Sequence, residues 1–397
     1  MAPGAFDGLR VLDLSQGISG PFCTRLLGDF GADVLKVEPP QGDVLRSFGP
    51  FHQDDPHPEK CLFFLTLNVN KRGVTLNLGT EGGRRLLREL VRHADVLVES
   101  FKPGYLASLG LGYHDLAGLN PGLVVTSITP FGQHGPYSQY EGEEIVYYAM
   151  GAIMSFSGTL DREPLKHGGF QAQYEAGLNA AAATAVAVFT RELSGEGQHV
   201  DLSIAEVVNS TMVINQPYYS FTGGIQGRRN PQGTLFGNPM PCKDGYVISQ
   251  TGGGATWDDI AAFYERPELL EPRFADQVQR QRHGEELDAI LVDAIKDRTK
   301  LELFTRASEM RMLFGMVQDA RDLAQCPQLE ARGFYREVEH PVIGRIRVPA
   351  VLFNMSATPY ELRRPAPLLG QHNEEVYCGE LGYSRDDLVR LRQLDII

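Results

Sequence analysis

The stretch that decides the fold is LRVLDLSQGISGPFCTRLLGDFGADVLKVE, Leu9 to Glu38, because its hydrophobic period changes twice. Leu9 to Leu14 alternates apolar and polar side chains in the manner of a half-buried strand. Past the Gly17–Pro21 turn, residues 22–29 carry an apolar stripe at helical spacing that stops at Gly31, and Ala32 to Glu38 alternates again. Working outward, Val74 to Leu78 predicts a third strand, and Thr80-Glu81 opens a helix with Leu86, Leu87, Leu90 and Val91 on its apolar face and Thr80 as N-cap. Ala94 to Glu99, Leu123 to Ile128 and Gln198 to Ser203 read as further strands. Strands alternating with helices over short connections predict an α/β fold with a mostly parallel sheet covered on both faces.

Ala176 to Arg191 is an alanine-rich helix with small residues on every face, suited to close contact with another helix or a sheet. From about Ile214 the texture changes, and the chain divides into a large Rossmann-like domain at 1–214, a smaller domain at 215–325 and a proline-rich C-terminal strap at 326–397 that returns to the large domain.

The formal net charge of −13 argues against a nucleic-acid surface and against anionic lipid. It leaves room for a phosphorylated ligand, since phosphates are held by local cations and helix N-termini. Five scattered cysteines, none in a CxxC pair, suggest neither a disulfide framework nor a zinc site. The N-terminus has no basic stretch followed by an apolar run, and Ala176–Thr190 is too short and alanine-rich for a bilayer span, so a cytoplasmic location is expected. No GxGxxG follows the first strand, and no GK[ST] loop, HExxH or GxSxG occurs. Motifs alone support only an enzyme-like α/β chain with its ligand at the strand C-termini.

Resemblance carries the reading further. The opening segment through Pro39-Pro40-Gln41-Gly42-Asp43 resembles the start of the family III CoA-transferases, which include formyl-CoA and carnitine CoA-transferases and the 2-methylacyl-CoA racemases. NKRGVTLNL from Asn70, ADVLVESFKPGYLASLGLGY from Ala94, SITPFGQHGPY from Ser127, GEGQHVDLSIAEV from Gly195, APLLGQHNEEV from Ala366 and ELGYS from Glu380 follow in the family's order. The resemblance implies an interlocked ring dimer, either a homodimer or a heterodimer with a related subunit. It also implies coenzyme A or acyl-CoA as substrate, a carboxylic acid as the other partner, and no metal or redox cofactor. Positions matching the family's nucleotide site are Arg46, Lys71 and Arg72 for phosphates and Phe101 for the adenine, with Ser100 and Lys102 beside it. Each basic residue taken singly reads equally as a solvated charge, and Phe101 as a core aromatic. Formyl-CoA transferases carry Arg and Lys where this chain has Ser108 and Glu141.

The resemblance also locates a departure. The family's nucleophile is an aspartate four residues before a glycine at the start of a helix of small residues; here the glycine is Gly177 and the residue is Gln173. An uncharged amide cannot attack a thioester at a useful rate. Glu175 is the one carboxylate in Phe170–Gly177, but on a helix it points about 200° away from Gln173. Ile18 replaces a glutamine of formyl-CoA transferases, and Glu143-Glu144 stands where racemases have His-Asp, so Glu144 keeps an acidic position while the base is absent, which speaks against racemisation. Two readings stay open. One is CoA transfer between organic acids through an anhydride and an enzyme–CoA thioester. The other is a catalytically degenerate CoA-binding subunit paired with an aspartate-bearing paralogue, as in benzylsuccinate CoA-transferase.

Overall fold

The computed structural model describes residues 4–228, 235–250, 254–350 and 352–397. Six parallel strands form one sheet: β1 Arg10–Asp13, β2 Asp33–Glu38, β3 Lys71–Thr75, β4 Val96–Glu99, β5 Val124–Thr129 and β6 His199–Ser203, in the order β3-β2-β1-β4-β5-β6. Three strands, β3, β4 and β5, are buried along their whole length, as a parallel sheet covered on both faces requires. The third strand begins at Lys71, three residues before the apolar run that announced it. Lys71 and Arg72 look like loop residues in the sequence, yet ion pairs bury both inside the sheet.

The first helix, Ser19–Asp29, starts ahead of the apolar stripe because Pro21 is tolerated in a first turn, where no backbone N–H is needed. The helix Glu81–Val91 is capped by the Thr80 hydroxyl, which accepts from the Gly83 N–H at 3.0 Å. The alanine-rich segment is longer than its composition suggested, running from Gln171 to Ser194. It lies against the first helix so closely that a Cβ on Gly177 would stand 2.5 Å from the Ser19 carbonyl oxygen. Farther along, the Thr184 hydroxyl meets that of Thr126 on β5 at 2.7 Å.

Contacts divide the chain into two compact units. The first takes residues 1–155, 165–226 and 331–397, so the helix Asn215–Thr222, assigned to the smaller domain from sequence texture, belongs with the sheet. The second takes Phe156–Pro164 and Gly227–Glu330. It packs a three-stranded antiparallel sheet (Met240–Cys242, Gly245–Gln250, Leu313–Met316) and helices around Val247, Phe263, Leu287 and Leu291.

The C-terminal segment solves the edge problem of β3. A terminal strand exposes alternate backbone groups, and native folds must cover them. Here the Gly73 N–H donates to His372 Nδ1 at 3.0 Å, Thr75 N–H to Asn373 Oδ1 at 2.9 Å, and Asn77 N–H to the Ile396 carbonyl at 2.8 Å. Asn373, 4% exposed, also donates to the Thr75 hydroxyl. Asn373→Ala leaves a buried N–H unpaired and should cost about 1–3 kcal/mol; urea denaturation checks this, and an unchanged midpoint would refute the edge-cover role.

Candidate functional site

In an open parallel sheet the ligand crevice lies outside the strand C-termini where the order reverses, here between β1 and β4. The loops leaving those strands are tied together: the Gln16 N–H donates to Ser100 Oγ at 2.9 Å. A cavity of about 250 Å³ opens beside them, lined by Gln16, Pro39, Gln41, Leu76, Phe101 and Tyr105, with the Phe101 and Tyr105 ring centroids 5.0 Å apart. A neighbouring hollow of about 510 Å³ continues past Gln16 and Gln41 to Val44, Ser47, Phe51 and His57.

Beneath the first loop is a buried ionic layer. Lys71 reaches Asp13 at 2.9 Å and Asn68 at 2.8 Å; Lys36 reaches Asp43 at 2.8 Å and also the Ser15 carbonyl. Both lysines and Asp13 are wholly buried. Burial alone would raise Asp13, but Lys36, Lys71 and the Ser15 and Thr24 hydroxyls outweigh it and hold the carboxyl down to about 2. Asp43 accepts the Leu45 N–H at 2.9 Å and the Gly17 N–H at 3.3 Å, so the layer sets the course of the loop.

The structure separates the matched cations. Arg46 borders the larger hollow, but at 2% exposure it is spent on Glu38 (2.6 Å), Glu59 (2.6 Å) and the Pro367 carbonyl, with its guanidinium 3.7 Å above the Phe64 ring. Lys71 belongs to the buried layer. Arg72 sits at the N-terminal end of β3, away from the crevice, against Asp33, Glu375 and Glu380. These three expected phosphate ligands are each paired with carboxylates within the fold. Ser100 and Phe101 are at the crevice, and Lys102 is solvent-facing with only a loose contact to Glu141 at 3.7 Å. Gln16, Gln41 and Tyr105 were missed by sequence reasoning; their signal was position, in the segments that leave the C-terminal ends of β1, β2 and β4.

At the positive end of the long helix, the buried Glu144 carboxylate accepts the Ala172 N–H at 2.9 Å and faces the Gln173 side-chain nitrogen at 3.4 Å. Burial raises the Glu144 pKa, with those donors and Lys166 pulling the other way. Gln173 and Glu144 are thus brought together. Glu175 is half-buried on the same helix, and its Oε2 has no hydrogen-bond partner. Ile18 ends the first loop at 4% exposure, within an apolar cluster with Phe22, Phe170 and Tyr174.

The family description "CoA-transferase family III" fits residues 6–373. This chain belongs to CoA-transferase family III. It is 35% identical to succinyl-CoA–D-citramalate CoA-transferase of Chloroflexus aurantiacus, over all of this chain and 98% of that protein. It is 31% identical to the subunit BbsE of succinyl-CoA:(R)-benzylsuccinate CoA-transferase of Thauera aromatica, over 97% of each. A CaiB/BaiF family protein from Brucella suis superposes with a TM-score of 0.87 at 30% identity, covering 96% of this chain and 100% of that one. Among the described residues no helix is long and apolar enough to cross a membrane, and no group of three potential metal ligands occurs.

At the crevice edge Glu99, 5% exposed, accepts the Phe101 N–H at 2.6 Å and so holds the aromatic loop. Burial pushes its pKa from 4.5 up to about 7 against the pull of the Ser127 hydroxyl and the Phe101 N–H. The folded chain therefore holds this proton more tightly than the unfolded chain. Its contribution is complete below pH 4.5 and is lost as pH rises toward 7. Glu99→Gln should flatten the stability–pH curve in that window; equal slopes for variant and wild type in urea titrations would contradict the assignment.

Proposed function

We propose that this chain binds acyl-CoA across the β1–β4 crevice and serves CoA transfer to a carboxylic acid as one subunit of a dimer, with its own Gln173 unable to act as nucleophile. The observation that carries this is the Gln173 amide facing the buried Glu144 carboxylate at the helix start. In the family reaction a carboxylate attacks the thioester carbonyl, expelling CoA thiolate and leaving a mixed anhydride. The thiolate then attacks the enzyme's side of the anhydride, giving an enzyme–CoA thioester and the free donor acid. An amide oxygen carries no anionic lone pair for the first step. Phe101 offers a face for the adenine, Ser100 fixes its loop, and Lys102, solvent-facing with a loose contact to Glu141, is a cation for phosphate. Five free thiols suit a reducing cytoplasm.

A second chain is supported by an apolar stripe on the long helix. Leu178, Val186, Phe189 and Leu193 recur at helical spacing and are 47%, 66%, 66% and 76% exposed. Phe221 and Ile225 of the same unit are 88% and 86% exposed. Static light scattering at micromolar concentration should give a dimer mass, and a monodisperse monomer would remove the partner from the proposal.

Whether the partner supplies the nucleophile is decided by mapping. Wild-type chain incubated with acyl-CoA and trapped with hydroxylamine or borohydride should show no adduct by mass spectrometry, while Gln173→Asp should acquire one at position 173. An adduct on Glu175 or Glu144 of the wild type would overturn this reading and favour a homodimer active through a relocated carboxylate.

A further inference from the structure

The helix start that bears Gln173 is walled by aromatic rings. Phe170 caps that helix and Tyr174 follows Gln173 directly. Phe170 meets Phe63 with ring centroids 5.5 Å apart and Phe48 at 6.2 Å; Phe48 and Phe63 close the triangle at 6.0 Å. Tyr174 meets Phe22 edge-on at 5.0 Å, and Ile18 lies in the same cluster. The wall is built but not closed: Phe48 is 48% exposed, although the rings around it are packed together. A phenyl ring held half in water beside a reaction position marks apolar surface that a ligand can cover.

The charges around the wall narrow what that ligand can be. Arg25 is buried and spent on Asp29 and on the Thr66 and Pro349 carbonyls. Arg46 is spent on two glutamates. Lys166 turns its ammonium onto the His167 and Gly169 carbonyls. Glu144 and Glu175 add negative charge at the same helix start. A dicarboxylyl thioester such as succinyl-CoA would bring its distal carboxylate against rings and carboxylates with the neighbouring cations already committed, at a large desolvation cost. A phenyl or branched apolar group meets no such cost and gains edge-to-face contacts.

We infer that the Phe48–Phe63–Phe170 wall is the acyl-binding surface and that it selects thioesters with an apolar, aromatic acyl group over dicarboxylyl ones. This rests on the CoA-binding reading above, and the test keeps the two apart. Calorimetry on the purified protein in its native assembly compares free CoA, succinyl-CoA and phenylacetyl-CoA. Phenylacetyl-CoA should bind about ten-fold or more tightly than succinyl-CoA, and Phe48→Ala should collapse that ratio while Phe48→Trp keeps it. If CoA binds but succinyl-CoA binds as tightly as phenylacetyl-CoA, the selectivity is wrong and the CoA reading stands. If CoA itself fails to bind, both fall. If Phe48→Ala instead halves the light-scattering mass, the wall is a seat for the second chain and the inference is overturned.

Discussion

Two lysines and two aspartates buried beneath the first loop are the constraint on which the crevice depends. Lys36 joins β2 to Asp43 and to the backbone of Ser15, and Lys71 joins β3 to Asp13 at the end of β1. Buried ion pairs of this kind add little net stability, because desolvation consumes most of the Coulombic gain. What they do here is fix geometry. With Asp43 accepting the Gly17 N–H, the loop from Ser15 to Ile18 has one course, which places Gln16 at the crevice and Ile18 against the aromatic cluster. Removing either partner would leave a charge stranded in the sheet, so the loop and the ionic layer stand or fall together.

The same economy governs the cations that the family resemblance singled out. Arg46, Lys71 and Arg72 are each surrounded by acceptors of the chain itself, and each joins segments far apart in sequence: Arg46 reaches residue 367 and Arg72 reaches 375 and 380. Arg46 and Arg72 hold the C-terminal segment against β2 and β3, where it also covers the open edge. Lys102, in the loop beyond β4, is left facing the solvent.

At the long helix a glycine contact and the hydrogen bonds of Glu144 set the place of Gln173. Gly177 is required because the Ser19 carbonyl occupies the space of a side chain. That contact brings the helix start beside the first loop whether or not residue 173 can react. Glu144 still satisfies the Ala172 N–H. A glutamine there preserves a hydrogen-bonding partner for Glu144, whereas an aspartate would set two carboxylates side by side and raise the pKa of one. The position is therefore stable with Gln173 and electrostatically tense with the acid.

Local pattern by itself determined the strand–helix alternation, the Thr80 cap and the alanine-rich helix, because period, capping chemistry and side-chain size act over a few residues. Gln173 was located by the family resemblance and not by local pattern, as the residue four before Gly177. Sequence texture misplaced the helix Asn215–Thr222, and an apolar run misplaced the start of β3, because charged side chains neutralised by distant partners are locally indistinguishable from exposed ones. The fate of Arg46, Lys71 and Arg72 followed the same rule: whether a cation is free depends on carboxylates that only the folded chain brings within 3 Å. The aromatic wall was likewise decided by tertiary structure, which gathers Phe48, Phe63 and Phe170 from three separate segments, because ring contacts depend on the path of the backbone and leave no periodic trace along the chain.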